Sequence, residues 1–101
     1  MAVAYVQEFA IGDRSTANYD HVKETLGDDA IGGLIAHTAG FDDEDGVFRI
    51  FDVWESREQA ERFYADRIQP LVDQGPEAFP RPESFTQPTR DGYYDLHDVV
   101  S

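Results

Sequence analysis

The residues of this chain best suited to proton chemistry near neutral pH are its histidines. His37 lies in Gly33-Leu34-Ile35-Ala36-His37-Thr38-Ala39-Gly40, where strand alternation sets it on one face with Ile35, Ala39 and Phe41. His97 lies in Tyr93-Tyr94-Asp95-Leu96-His97-Asp98-Val99-Val100 and shares a face with Tyr93, Asp95 and Val99. An imidazole on an apolar strand face can take a proton as a general base. If that face looks into a cavity, desolvation disfavours the charged ring and leaves it neutral, ready to accept. Both residues also read as hydrogen-bonded histidines of a core or an interface. His21 falls on the polar side of a helix and is expected to face solvent.

Trp54, Tyr5 and Tyr64 are the aromatic residues that would shape a pocket beside such a base. Trp54, at a strand end, reads as readily as a core anchor. Arg49 stands inside an apolar strand, an unusual place for a charge, and calls for an acidic partner across the sheet, across a dimer, or in a pocket. The run Asp42-Asp43-Glu44-Asp45 lacks the twelve-residue calcium-loop spacing and reads as a solvated turn. There is no H-x-x-H or H-E-x-x-H, no glycine-rich phosphate loop after a strand and no serine in a nucleophile elbow. No metal site and no cofactor site is expected.

These residues need elements to hold them. Residues 2–9 read as a strand, with Val3, Tyr5 and Phe9 on one face and Ala4 and Val6 on the other. Ser15 or Thr16 can cap a helix over 16–26, which carries Tyr19, Val22 and Leu26 and ends at Gly27. A second strand over 34–41 reaches an Asp-Gly turn, and a third follows over 47–54. Ser56-Arg57-Glu58-Gln59 is a capping box, followed by a helical stripe of Ala60, Phe63, Tyr64, Ile68, Leu71 and Val72. Pro70 should break or kink that helix. All five prolines fall between 70 and 88, so 73–90 is expected to be irregular, and a last strand to run over 93–100.

The order βαββαβ is the ferredoxin-like, split-βαβ arrangement: an α+β domain with a four-stranded antiparallel sheet and helices on one face. The length of 101 residues suits a single domain spanning 1–101. The third strand is apolar both ways, with Val47, Phe51 and Val53 opposite Phe48, Ile50 and Trp54. An apolar sheet face without helices calls for a second sheet, most simply that of a second copy, hence a homodimer through the sheet face.

Composition narrows the partners. Twenty-one acids against eight bases give a net charge of −13, which repels phosphate backbones and anionic headgroups, so neither nucleic acid nor a membrane is expected. Lys23 is the only lysine, and the acidic surface fits either plain solubility or life in high salt. The chain has no cysteine and no apolar run of spanning length, and its first residues lack a basic leader, so a cytoplasmic location is the default expectation.

The stretch Gly33–Gly40, then Asp52-Val53-Trp54-Glu55-Ser56-Arg57-Glu58, with Phe63, Arg67-Ile68-Gln69-Pro70-Leu71 and Leu96-His97-Asp98-Val99-Val100, resembles the dimeric α+β barrel superfamily. Within it the chain is most similar to small proteins related to the antibiotic biosynthesis monooxygenases. The resemblance implies a homodimer whose two sheets close into a barrel, and a cavity between sheet and helices in each subunit. In such monooxygenases the cavity holds a polycyclic aromatic substrate that activates oxygen itself, without flavin or metal. Other relatives bind haem or simply trap small ligands. Two functions therefore stand side by side. One is a cofactor-independent monooxygenase acting on a small aromatic substrate, with His37 or His97 as base and Trp54, Tyr5 and Tyr64 lining the pocket. The other is a non-catalytic module that binds a small apolar or aromatic ligand, or only a second copy. A roomy cavity with a histidine in its wall favours the first.

Overall fold

The computed structural model describes residues 2–27 and 30–100. Strand β1 is Val3–Ala10, helix α1 Ala17–Leu26, β2 Leu34–Asp42, β3 Val47–Trp54, α2 Arg57–Phe63, α3 Gln69–Val72 and β4 Arg90–Asp95. The strands form one antiparallel sheet in the order β2-β3-β1-β4. This is the expected ferredoxin-like α+β arrangement. The two central strands carry the most buried residues, because each has a neighbour on both edges: Val3, Ala4 and Tyr5 on β1, and Asp52, Val53 and Trp54 on β3.

Pairing sets the faces, since antiparallel partners project to the same side. Val3 pairs with Trp54, Tyr5 with Asp52, Gln7 with Ile50 and Phe9 with Phe48, all on the helix side. There Val3, Tyr5, Trp54 and Ala60 make the core, with Ile31, Leu34, Phe63, Tyr64 and Tyr93 packed around it. Trp54 is 1% exposed and lies 5.4 Å from the Phe63 ring, as a core anchor should. Gly33 is required where the chain turns into β2: its φ is +87°, and a Cβ there would come within 2.8 Å of the Gln59 side chain.

Ser56 caps α2, its hydroxyl oxygen accepting from the Gln59 N–H at 3.2 Å. The helical stripe does continue to Val72, by way of a π-helical turn over Tyr64–Ile68. The Gln69 N–H reaches back to the Tyr64 carbonyl, five residues away. Pro70 supplies no N–H for the Asp66 carbonyl, and the wider turn accommodates that loss without ending the helix. Residues between Val72 and Arg90 hold two short 3₁₀ turns, Pro76–Ala78 and Pro82–Ser84.

Three expectations need correction. First, β4 is Arg90–Asp95, not 93–100. Its register runs from Glu8 opposite Arg90 to Val3 opposite Asp95. Because β1 begins at Val3, the chain beyond has no β1 residue to pair with, and among the described residues only the Leu96 N–H still bonds, to the Ala2 carbonyl. Second, β2 is bulged between Leu34 and Ala36. Leu34 thereby joins Trp54 on the helix side, and Ile35 is left exposed instead of sharing a face with His37. Third, His21 is half-buried, edge-on to Phe79 with ring centroids 5.5 Å apart. Phe79 and the Arg81 backbone lie against α1 and so cover part of the side that the helix pattern alone assigns to solvent.

Candidate active site

A cavity of about 730 Å³ lies between the helix face of the sheet, α1, the α2–α3 run and the segment that leads to β4. Phe9, Phe41, Phe48, Ile50, Phe63 and Phe85 give it an apolar lining. α1 itself has no buried residue. It is tied to the covering segment by Asn18, whose Nδ2 donates to the Arg81 carbonyl at 2.9 Å and whose Oδ1 accepts from the Arg81 N–H at 3.0 Å.

A line of polar groups crosses one wall. β2 and β3 set His37 directly opposite Asp52. The His37 Nδ1 lies 2.5 Å from Asp52 Oδ1, and its Nε2 lies 2.5 Å from the Tyr19 hydroxyl, which α1 supplies. The other Asp52 oxygen, Oδ2, accepts from the Tyr64 hydroxyl at 3.0 Å. Gln7 completes the line, its side-chain amide 3.3 Å from the same Tyr64 hydroxyl. Tyr64 has one proton and gives it to Asp52, so the Gln7 amide fits with its nitrogen donating to the Tyr64 oxygen. A second pair stands further along the sheet, where the Tyr5 hydroxyl donates to Asp91 Oδ2 at 3.0 Å.

The charge pattern fixes the imidazole. The Asp52 side chain is 4% exposed and that of His37 27%. A carboxylate only accepts, so Nδ1 carries a proton toward Asp52. On a neutral ring Nε2 is then a lone pair, and Tyr19 donates to it. On a protonated ring Nε2 donates to Tyr19 instead, and Asp52 compensates the charge. Burial pushes the Tyr64 phenol well above its ordinary range, and the negative Asp52 that its hydroxyl faces adds to this. Tyr5 is raised by burial and by Asp91, and Tyr19 by burial, Asp52 and Asp20. All three are therefore proton-bearing hydroxyls at neutral pH.

Of the residues singled out from sequence, His37, Trp54, Tyr5 and Tyr64 line the cavity together. His97 does not: it is exposed, beyond the end of β4. Tyr5, Tyr64 and Tyr93 form an aromatic corner, with Tyr5 stacked on Tyr93 at 4.3 Å and edge-on to Tyr64 at 5.0 Å. Arg49 projects from the opposite face of the sheet and pairs with Glu8, Asp42 and Asp45. The sequence reading missed Asp52, Tyr19 and Gln7. Asp52 did carry a signal, since it shares strand parity with Phe48, Ile50 and Trp54, and an acid in an apolar face needs partners. Tyr19 gave none, because it fits a helical apolar stripe. Among the described residues no group of three or more His, Asp or Glu side chains is arranged to hold a metal ion.

No protein-family profile matches the sequence, and no curated protein does. Four chains among the solved structures match the fold, and two of them illustrate the likeness. One, from Chloroflexus aurantiacus J-10-fl, is provisionally described as an antibiotic biosynthesis monooxygenase; it has a TM-score of 0.63 and 12% identity, over 100% of this chain and 98% of its own. The other is a structural-genomics protein, YJCS, with a TM-score of 0.60 and 11% identity, over 96% of this chain and 100% of its own. The chain shares the ferredoxin-like fold of these two proteins. At such identity the likeness concerns the fold, and the chemistry has to be read from the site.

Proposed function

We propose that the cavity binds a small aromatic substrate and that His37, oriented by Asp52, takes a proton from it, as the first step of cofactor-independent monooxygenation. The observation that carries this reading is the hydrogen-bonded imidazole–carboxylate pair in the wall of a large, mostly apolar cavity. A positioned general base of this kind contributes about 10²–10⁴-fold in rate. Oxygenation in particular is suggested by the provisional description of one fold relative as an antibiotic biosynthesis monooxygenase.

On this reading the substrate has an acidic methylene or hydroxyl conjugated with an aromatic ring. Loss of a proton to His37 leaves an electron-rich anion that reduces dioxygen and forms a carbon–oxygen bond as a peroxide. His37 returns that proton to the peroxide, then takes the second proton from the same carbon as the O–O bond breaks and a carbonyl forms. His37 returns its proton to the departing hydroxide as water. One dioxygen is consumed, one of its atoms enters the product, and the substrate supplies all four electrons.

The working unit on this reading is a homodimer. The helix-free face of the sheet presents Val6, Phe51 and Tyr94, with Tyr94 50% exposed, and a second sheet would cover them. The test of function is dioxygen uptake with a tricyclic anthrone. Wild-type protein should consume one dioxygen per anthrone, and His37→Gln should be slower by about 10²-fold or more while still binding. Equal rates in the two proteins would exclude His37 as the base.

A further inference from the structure

Both ring nitrogens of His37 are occupied: Nδ1 by Asp52 and Nε2 by the Tyr19 hydroxyl. A ligand in the cavity therefore meets no free imidazole nitrogen. The outermost group of the line is the Tyr19 oxygen, which has a lone pair left after donating to His37 and belongs to a residue of the cavity lining. We propose that Tyr19 is the catalytic residue that touches the substrate, passing a substrate hydroxyl proton to His37, and that the substrate enters as a neutral phenol or enol. This inference rests on His37 acting as the base.

The transfer balances within the line. The substrate O–H donates to the Tyr19 oxygen as the Tyr19 proton moves to Nε2. Tyr19 ends neutral, the imidazolium faces the Asp52 carboxylate, and the substrate anion accepts a hydrogen bond from the Tyr19 hydroxyl. Two features support the arrangement. The phenol has a proton to give, since burial, Asp52 and Asp20 all oppose its ionisation. Its ring is held in place, lying 6° from parallel with the imidazole and edge-on to Phe48, itself 5.0 Å from Phe41. The titratable groups that act on it include Asp20 on its own helix, His37 from β2 and Asp52 from β3, and Arg14, Lys23 and Glu83 also line the cavity.

The substrate class follows from charge. A chain of net charge −13 repels carboxylates and phosphates in solution, whereas a neutral hydroxyl approaches freely and becomes an anion only inside. Phe41, Phe48 and Ile50 around the relay suit a flat aromatic ring bearing that hydroxyl.

The probe is 4-nitrophenol, whose anion absorbs in the visible, used at a pH where the free compound is neutral. Wild-type protein should bind it as the anion. Tyr19→Phe should bind it neutral, with Kd changed by no more than about fivefold, the worth of one net hydrogen bond. Replacing Tyr19 by 3-fluorotyrosine, nearly isosteric but more acidic, should shift the pH midpoint of bound-probe ionisation. Ionisation unchanged in Tyr19→Phe but lost in His37→Gln would overturn the relay and leave His37 as the base. Ionisation unchanged in both would overturn the base and the relay together, as would failure of the wild type to bind the probe. Tighter binding of 4-nitrobenzoate than of 4-nitrophenol would overturn the substrate class. If Tyr19→Phe does not fold, the fluorotyrosine protein decides: an unmoved midpoint refutes the relay.

Discussion

Asp52 is the single acceptor on which two elements depend, so its removal tests the site most directly. In Asp52→Ala the His37 Nδ1–H loses its partner, and the Tyr64 hydroxyl is left with only the Gln7 amide, 3.3 Å away. A stranded buried donor costs about 1–3 kcal/mol. Both donors border the cavity, and the protein no longer buries a carboxylate, so the lower half of that range applies and the loss is about 2–4 kcal/mol. For a domain of this size that corresponds to a fall in Tm of about 10–25 °C. Asp52→Asn keeps the shape and one carbonyl oxygen, which can still accept from Nδ1, and its fall should be less than half as large. Thermal melts followed by circular dichroism measure both. Nitrogen NMR of the imidazole should find the proton on Nδ1 in wild-type protein and a mixture of tautomers in Asp52→Ala. A melting point within about 3 °C of wild type in Asp52→Ala would refute the reasoning, since it would mean the line is not held together in solution.

Stability should fall as pH rises above about 10, the ordinary tyrosine range. Tyr5, Tyr19, Tyr64 and Tyr93 are raised in the folded protein, so the unfolded chain sheds protons first and unfolding is favoured with rising pH. Phenolate absorbance of Tyr5 and Tyr64 should accordingly appear together with the loss of helical signal, and its clear appearance in folded protein would contradict the burial. Trp54→Ala should cost about 3–5 kcal/mol in urea unfolding. Trp54→Phe should cost much less, because the buried Nε1–H has no acceptor to lose among the described residues; equal costs would argue against that account. Sedimentation at micromolar concentration should give twice the 11.4 kDa chain mass, and a single 11.4 kDa species would exclude the dimer.

The fold was legible because its signals are local. Strand parity in Val47–Trp54, the capping box at Ser56 and the Asp-Gly turn each constrain a few neighbouring residues, and each appears in the structure close to where the sequence put it. Where an element's extent depends on a distant partner, the sequence reading failed. β4 stops at Asp95 because β1 starts at Val3, more than ninety residues earlier in the chain. His21 is covered by a segment whose path no periodicity describes.

The site divides in the same way. Composition and pattern by themselves determined that His37 stands on a strand among apolar residues, and that aromatic side chains are available to line a pocket. Only the tertiary structure decided what His37 touches. It bonds residue 19 on α1 and residue 52 on β3, and residue 52 in turn bonds residue 64 after α2. These distances in sequence carry no spacing rule, because the register of β2 on β3, bulged at Leu34, and the docking of two helices set them independently. The same geometry separates His37 from His97, which are alike in sequence: one is paired opposite a buried carboxylate, and the other lies beyond the last residue that β1 can pair.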